Sequence, residues 1–300
     1  MFTTSCRRIY RARPRFPIEV CEQIIDWVAA GRTTGICNLQ VQRTLLACTL
    51  VCRAWQHRAR KHLYARGDVT LKYVQVFGNT LRGLSNLSAI IVELNFIHSP
   101  PFLLSPLLAV HKFPNLRSLA LGHLNLHGEH DMLYRAFAFH AIQNLRLSQL
   151  RSRKASHIIR FINHFRYLTS LKIEQFKFGA LEYSGQVLPK AFNAPTRSLT
   201  TLALELIPGT SRLILWLIKA GPLLQNLKHL ALTCENIQKK SQLCAAFDGV
   251  SQLLAYCADI EELGLHFLNI PMVDEISDIC ELPYSSLVAN AKVLTTVSFW

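Results

Sequence analysis

The chain has 300 residues, of which half are hydrophobic and 17% charged, with a net charge of +14. That composition excludes a disordered chain and leaves room for a large core. The nine cysteines are an odd number without a CxxC pair, which speaks against a disulfide framework and for reduced thiols.

Residues 1–15 carry five arginines and no acid, so they are expected to form a disordered basic tail. No secretory leader is visible at the N-terminus. Residues 16–66 read as helical. Pro17 suits a first turn, Val20, Ile24, Trp27 and Val28 follow at helical spacing, and Gly31 is a stop signal. A loop is expected from Arg32 to Asn38. Leu45, Cys48, Cys52, Trp55, Ala59 and His62 then step by three and four, as one face of a long or broken helix. Gly67 closes the segment.

From residue 67 onward one phrase keeps returning: an apolar residue, then Leu-like residues three and five positions later. It starts at Ile91, Leu116, Ile142, Leu168, Leu199, Leu227, Ile260 and Leu294. The 25- to 34-residue spacing predicts a repeated strand-plus-helix unit. Helices are expected at 131–140, 156–165, 211–220 and 242–257, with the longer spacings absorbed by loops around Pro189 and Pro195. The fold class expected is α/β: a small all-α unit, then a leucine-rich-repeat solenoid, or horseshoe, of seven or eight irregular units over 67–300. The last phrase stops inside a strand at Trp300, an incomplete unit or one that a partner completes.

Side chains alternate across a strand, so the residues between the leucines are expected on the concave, substrate-binding face. Those singled out are Asn95, Arg146, Lys172 and Glu174, and further along Glu205, His229, Glu262 and His266. Arg146 and Lys172 would form a basic spot. The charge divides as +9 over residues 1–72, +11 over 73–229 and −6 over 230–300. A basic surface favours an acidic partner or nucleic acid. The charges are interleaved, however, and no aromatic-rich basic stripe is evident, so nucleic acid is the less favoured partner.

The phrases Phe16-Pro17-Ile18-Glu19-Val20 and Val51-Cys52-Arg53-Ala54-Trp55, with Ile24-Ile25 and Leu45-Leu46 between them, resemble the F-box. That family opens on Leu-Pro-x-Glu and closes its central helices on Val-Cys-x-x-Trp. Phe16 stands where the family has Leu, and the stretch from Ala29 to Arg43 is longer than a compact F-box has. With irregular leucine-rich repeats downstream, the whole resembles the F-box-like proteins of mushroom-forming fungi. The resemblance implies docking to a Skp-type adaptor, and through it to a cullin–RING ubiquitin ligase. Phe16, Pro17, Ile18, Ile24, Leu46, Val51, Cys52 and Trp55 would carry that contact. The chain would then supply recognition of a protein substrate, with no chemistry of its own, in the cytoplasm or nucleus. A repeat scaffold that never meets an adaptor is the competing reading, followed by a basic nucleic-acid-associated protein.

Catalytic and metal motifs are not apparent. Cys48, Cys52, His57 and His62 lack the long connector that lets four zinc ligands converge. The acidic clusters 259–262 and 274–281 lack a second acidic partner at predictable geometry, and the latter reads as an exposed loop or helix face. Neither a cofactor nor a membrane span is expected, since the longest stretch without charge, Leu94 to His111, is broken by three prolines.

Overall fold

In a computed structural model, the structure describes residues 17–31, 38–70, 73–83, 86–97, 113–123, 141–152, 155–175, 177–178, 199–206, 214, 217–218, 224–235, 251–257, 259–268 and 296–299. The chain divides into two compact units, Met1–Arg66 and Gly67–Trp300. The basic tail, Phe16, the expected helix at 131–140, and the stretches around Pro189, Pro195 and Trp300 lie outside the described residues.

The first unit holds three helices: α1 (Ile18–Ala30), α2 (Asn38–Cys48) and α3 (Arg53–Ala65). Pro17 stands at the N-cap of α1, where its missing N–H costs nothing. The chain turns at 49–51, so the apolar series from Leu45 to His62 belongs to two helices rather than one. Ile25, Val41, Leu45, Cys48 and Ala59 form the core, with half-buried Val28, Ala29, Trp55 and Leu63 against it. Helix α2 begins at Asn38. The connection expected over 29–43 is therefore shorter, because Ala29, Ala30 and 38–43 are all helical.

The second unit is mixed α/β. Its main sheet has nine strands: β1 (Arg66–Thr70), β2 (Glu93–Ile97), β3 (Ser118–Gly122), β4 (Asn144–Ser148), β6 (Ser170–Glu174), β8 (Thr201–Leu206), β9 (His229–Glu235), β10 (Glu262–Leu268) and β11 (Thr296–Phe299). They lie in chain order, and from β2 to β11 every ladder is parallel. Two short strands, β5 (Arg151–Ser152) and β7 (Lys177–Phe178), pair separately, also in parallel. Helices α4 (Val74–Gly83), α5 (Leu87–Ile90) and α6 (Ala155–Asn163) lie between strands, and residues 251–256 are helical as well.

Register makes the returning phrase structural. Leu94, Leu119, Leu145, Leu171, Leu202, Leu230 and Leu263 stand side by side across the sheet. Phe96, Leu121, Leu147, Ile173, Leu204, Leu232 and Leu265 form a second column in the same way. Both columns are buried in one continuous core with Leu81 of α4, Ile158, Phe161 and Ile162 of α6, and Leu253 and Leu254. The residues between the columns alternate to the other face, as the burial patterns of β4 and β6 show. Near the start of this unit a Cβ at Gly67 would come 2.9 Å from Leu94 Cδ2, so a larger residue there would force the buried Leu94 side chain to shift.

The entrances of β3, β4, β6, β8, β9 and β10 carry the same bond pair. The carbonyl of Val92 accepts from the amides of Arg117 and Ser118, and that of Arg117 from Gln143 and Asn144. The pattern repeats at Gln143, Thr169, Thr200 and Lys228. Each strand exit on β3, β4 and β6 turns through a left-handed residue that is not glycine: His123 (φ 55°), Gln149 (φ 53°) and Gln175 (φ 50°).

Candidate functional site: an apolar helical surface and an open sheet face

Two surfaces stand out, one on each unit. The first is the outside of the three-helix unit. Nine of the fourteen large hydrophobic side chains exposed among the described residues belong to it, so the excess is local rather than a general feature of the chain. On α1, Cys21 and Ile25 turn inward while Val20, Ile24 and Trp27 turn out, with Trp27 85% exposed. The helical series Val20–Ile24–Trp27 is therefore not the core stripe its spacing suggests. On α2, Val41, Leu45 and Cys48 turn inward, leaving Leu39 and Leu46 outside. Leu50 and Val51, in the turn after α2, are exposed as well.

Of the residues expected to bind an adaptor, Pro17, Ile18, Ile24, Leu46, Val51 and Cys52 are exposed. Trp55 is different: it packs against the core of the helical unit and is only partly accessible. Phe16 lies outside the described residues. Trp27, Leu39 and Leu50 were not among the expected contacts, although the spacing of Trp27 from Ile24 and Val20 already put the three on one face.

The unit is braced by an ionic clasp. Arg58 donates from Nε to Asp26 Oδ1 (2.8 Å) and from Nη2 to Asp26 Oδ2 (2.5 Å). His62 Nε2 lies 2.6 Å from Asp26 Oδ1. The hydrogen bond from Arg58 is the largest influence on the Asp26 carboxyl. With the weaker help of His62 it outweighs burial and holds the group far below the usual carboxylate range. The clasp joins α1 to α3 and so fixes which faces of both helices turn outward.

The second surface is the open face of the sheet. Between the two leucine columns lie Arg146 and Lys172, neighbours in register on β4 and β6. They do not form a free basic spot. Glu174 Oε2 accepts from Arg146 Nε at 2.8 Å, and Glu174 Oε1 lies 2.8 Å from Lys172 Nζ. Burial pushes the Glu174 carboxyl up, but the hydrogen bonds from Lys172 and Arg146 outweigh it and hold it below its ordinary value. Next to this cluster Asn144 Nδ2 donates to Ser118 Oγ at 3.0 Å.

On β9 and β10, His229 Nδ1 lies 2.9 Å from Glu262 Oε2. Beside it Lys228 Nζ donates to Glu261 Oε1 at 2.6 Å. That bond holds Glu261 below and Lys228 above their ordinary values. His266 is half-buried.

Two expected face residues are structural instead. Asn95 is buried and donates from Nδ2 to Asp68 Oδ1 at 2.6 Å. Glu205 is buried too, and its Oε2 accepts from the backbone amide of Gln175 at 2.6 Å. At the two preceding corners the acceptor is a main-chain carbonyl, Ser148 O for His123 and Glu174 O for Gln149. Glu205 thus substitutes for a carbonyl at the third corner.

Among the described residues, no group of three or more His, Cys, Asp or Glu is arranged to hold a metal. Cys48 lies buried on α2 and His57 exposed on α3. No helix among the described residues is long and apolar enough to cross a membrane. No protein-family model and no curated protein matches the chain.

Proposed function

We propose that the chain is the substrate-recognition subunit of an SCF-type cullin–RING ubiquitin ligase. On this reading the three-helix unit is an F-box that docks a Skp-type adaptor. The second unit is an irregular leucine-rich-repeat solenoid whose open sheet face reads a protein substrate, and the chain works in the cytoplasm or nucleus. Transfer chemistry belongs to other subunits, and this chain contributes proximity.

The observation that carries the reading is the crowding of exposed apolar side chains on the helical unit. Burying a Leu, Ile or Val side chain contributes about 1.5–3 kcal/mol. Association costs about 4–15 kcal/mol in lost freedom, so a single exposed leucine is not a docking surface. Ile24, Leu39, Leu46, Leu50 and Val51 together with Trp27 contribute up to roughly 9–18 kcal/mol when buried together, which is of the order of that cost. The resemblance of residues 16–20 and 51–55 to the F-box phrases supplies the nature of the partner.

Co-expression with a Skp-type adaptor, followed by size-exclusion chromatography with light scattering, tests the proposal. A stable one-to-one complex is expected, abolished by Ile24→Asp or Leu50→Asp with helix content retained by circular dichroism. Trp55→Ala is a poor probe, because its ring packs in the core of the unit. Soluble, folded chain that forms no complex, or a complex indifferent to both substitutions, overturns the reading and leaves a recognition scaffold.

A further inference from the structure

Helix α3 has a second face that the adaptor reading does not use. Arg53, His57, Arg60, Lys61 and Tyr64 are all exposed. At 100° per residue these five fall within an arc of about 100°, opposite the core-facing Trp55, Ala59 and Leu63. The stripe runs about 16 Å along the helix at 1.5 Å per residue.

Nothing within the fold accounts for this charge. Helix α3 contains no acidic residue, and its first turn has none. Among the described residues, neither Arg53, Arg60 nor Lys61 takes part in an ion pair. Arg58 and His62, which meet Asp26, lie on another side of the helix. A solvated helix face normally interleaves signs at i, i+4. Here Arg53, Arg60 and Lys61 have no acidic residue at i ± 3 or i ± 4, and Arg53 sits at the N-terminal end, where the helix dipole disfavours a cation. The outer face of the helix thus keeps its positive charge without neutralisation by its own neighbours.

We infer that this stripe of α3 binds the phosphate backbone of single-stranded nucleic acid, without base-sequence preference. Arg53 and Arg60 offer forked donors that match phosphate oxygens, and Lys61 adds a point charge. The exposed Tyr64 ring, in the same arc, supplies a platform on which an unpaired base stacks. That stacking is a contact that the carboxylates of an acidic protein do not make. The stripe shares no residue with the contacts expected for an adaptor, and only Arg53, which follows Cys52, adjoins them.

The test is fluorescence anisotropy of a labelled single-stranded oligothymidylate titrated with the full chain between about 50 and about 200 mM salt. The triple variant R53Q/R60Q/K61Q is expected to bind about tenfold or more weakly at the low-salt end. Its slope of log affinity against log salt should be shallower by about 2, the release of roughly 0.7 counterion for each of three lost phosphate contacts. Tyr64→Leu is expected to lose about fivefold with the slope unchanged, as stacking is not screened by salt. Circular dichroism checks that the helices persist, which glutamine at three exposed positions favours.

Equal affinity and slope for wild type and triple variant overturn the inference and assign binding to the arginines of residues 1–15. Stronger competition by polyglutamate or by anionic vesicles than by unlabelled oligonucleotide also overturns it, in favour of an acidic protein or a membrane surface.

Discussion

Asp26 does the work of three residues: it accepts from Arg58 through both oxygens and meets His62 on one of them. Its side chain remains 38% exposed, so solvent screens the clasp. Asp26→Asn is expected to destabilise the helical unit by about 1 kcal/mol, read by thermal or urea denaturation. The pH dependence has a definite sign. The folded-state carboxyl lies below its ordinary value of 3.8, so below that value the unfolded chain binds the proton first. The stabilisation is complete above that value and is lost as the medium is acidified through the folded-state value. Wild type and Asp26→Asn should therefore converge in stability at low pH. Nothing in the sequence announced this clasp, since its partners lie 32 and 36 residues apart and share no period. The misread face residues have a similar cause. Strand alternation assigns Asn95 and Glu205 to a face, but it is blind to Asp68 and to the amide of Gln175, which draw them into structural roles.

The strands were the most legible elements, because burial on one face forces every second residue of a five-residue strand to be apolar. Each of the eight phrases holds a strand at the expected place. The helices were less legible. Their candidate regions are partly matched, as in α6 (Ala155–Asn163) against an expected 156–165, and the inward faces of α1 and α2 were harder to read. Val20, Ile24 and Trp27 repeat at helical spacing and are nonetheless exposed, since periodicity reports an apolar stripe and not what covers it. The corner residues left no signal at all, as glycine would have been the usual marker of a left-handed turn. Gln149 sits at φ 53°, where a side chain costs roughly 1 kcal/mol or more. Gln149→Gly is expected to raise stability by about 0.5 kcal/mol after the entropy cost of glycine, measured by chemical denaturation.

For the whole molecule, length and apolar content foretold a large core. What the total charge concealed was its distribution. Arg146 and Lys172 are neutralised in part by Glu174, whereas the outer side of α3 carries cations with no partner among the described residues. Stability of the second unit rests on its continuous core. Leu171, 1% exposed in the middle of the sheet, is expected to cost about 2–5 kcal/mol when replaced by alanine. Because β6 bonds only to β4 and β8, amide exchange should quicken first in 144–148 and 201–206.

The doubled acceptor at these strand entrances has a consequence for how such a chain changes over generations. The six joints from β2–β3 to β9–β10 offer the same two bonds and the same pair of apolar columns to the strand that comes next. A whole unit is therefore an exchangeable part. Duplication or loss of one complete unit rebuilds an equivalent joint on either side, while the gain of a single residue within a strand turns every leucine after it to the wrong face.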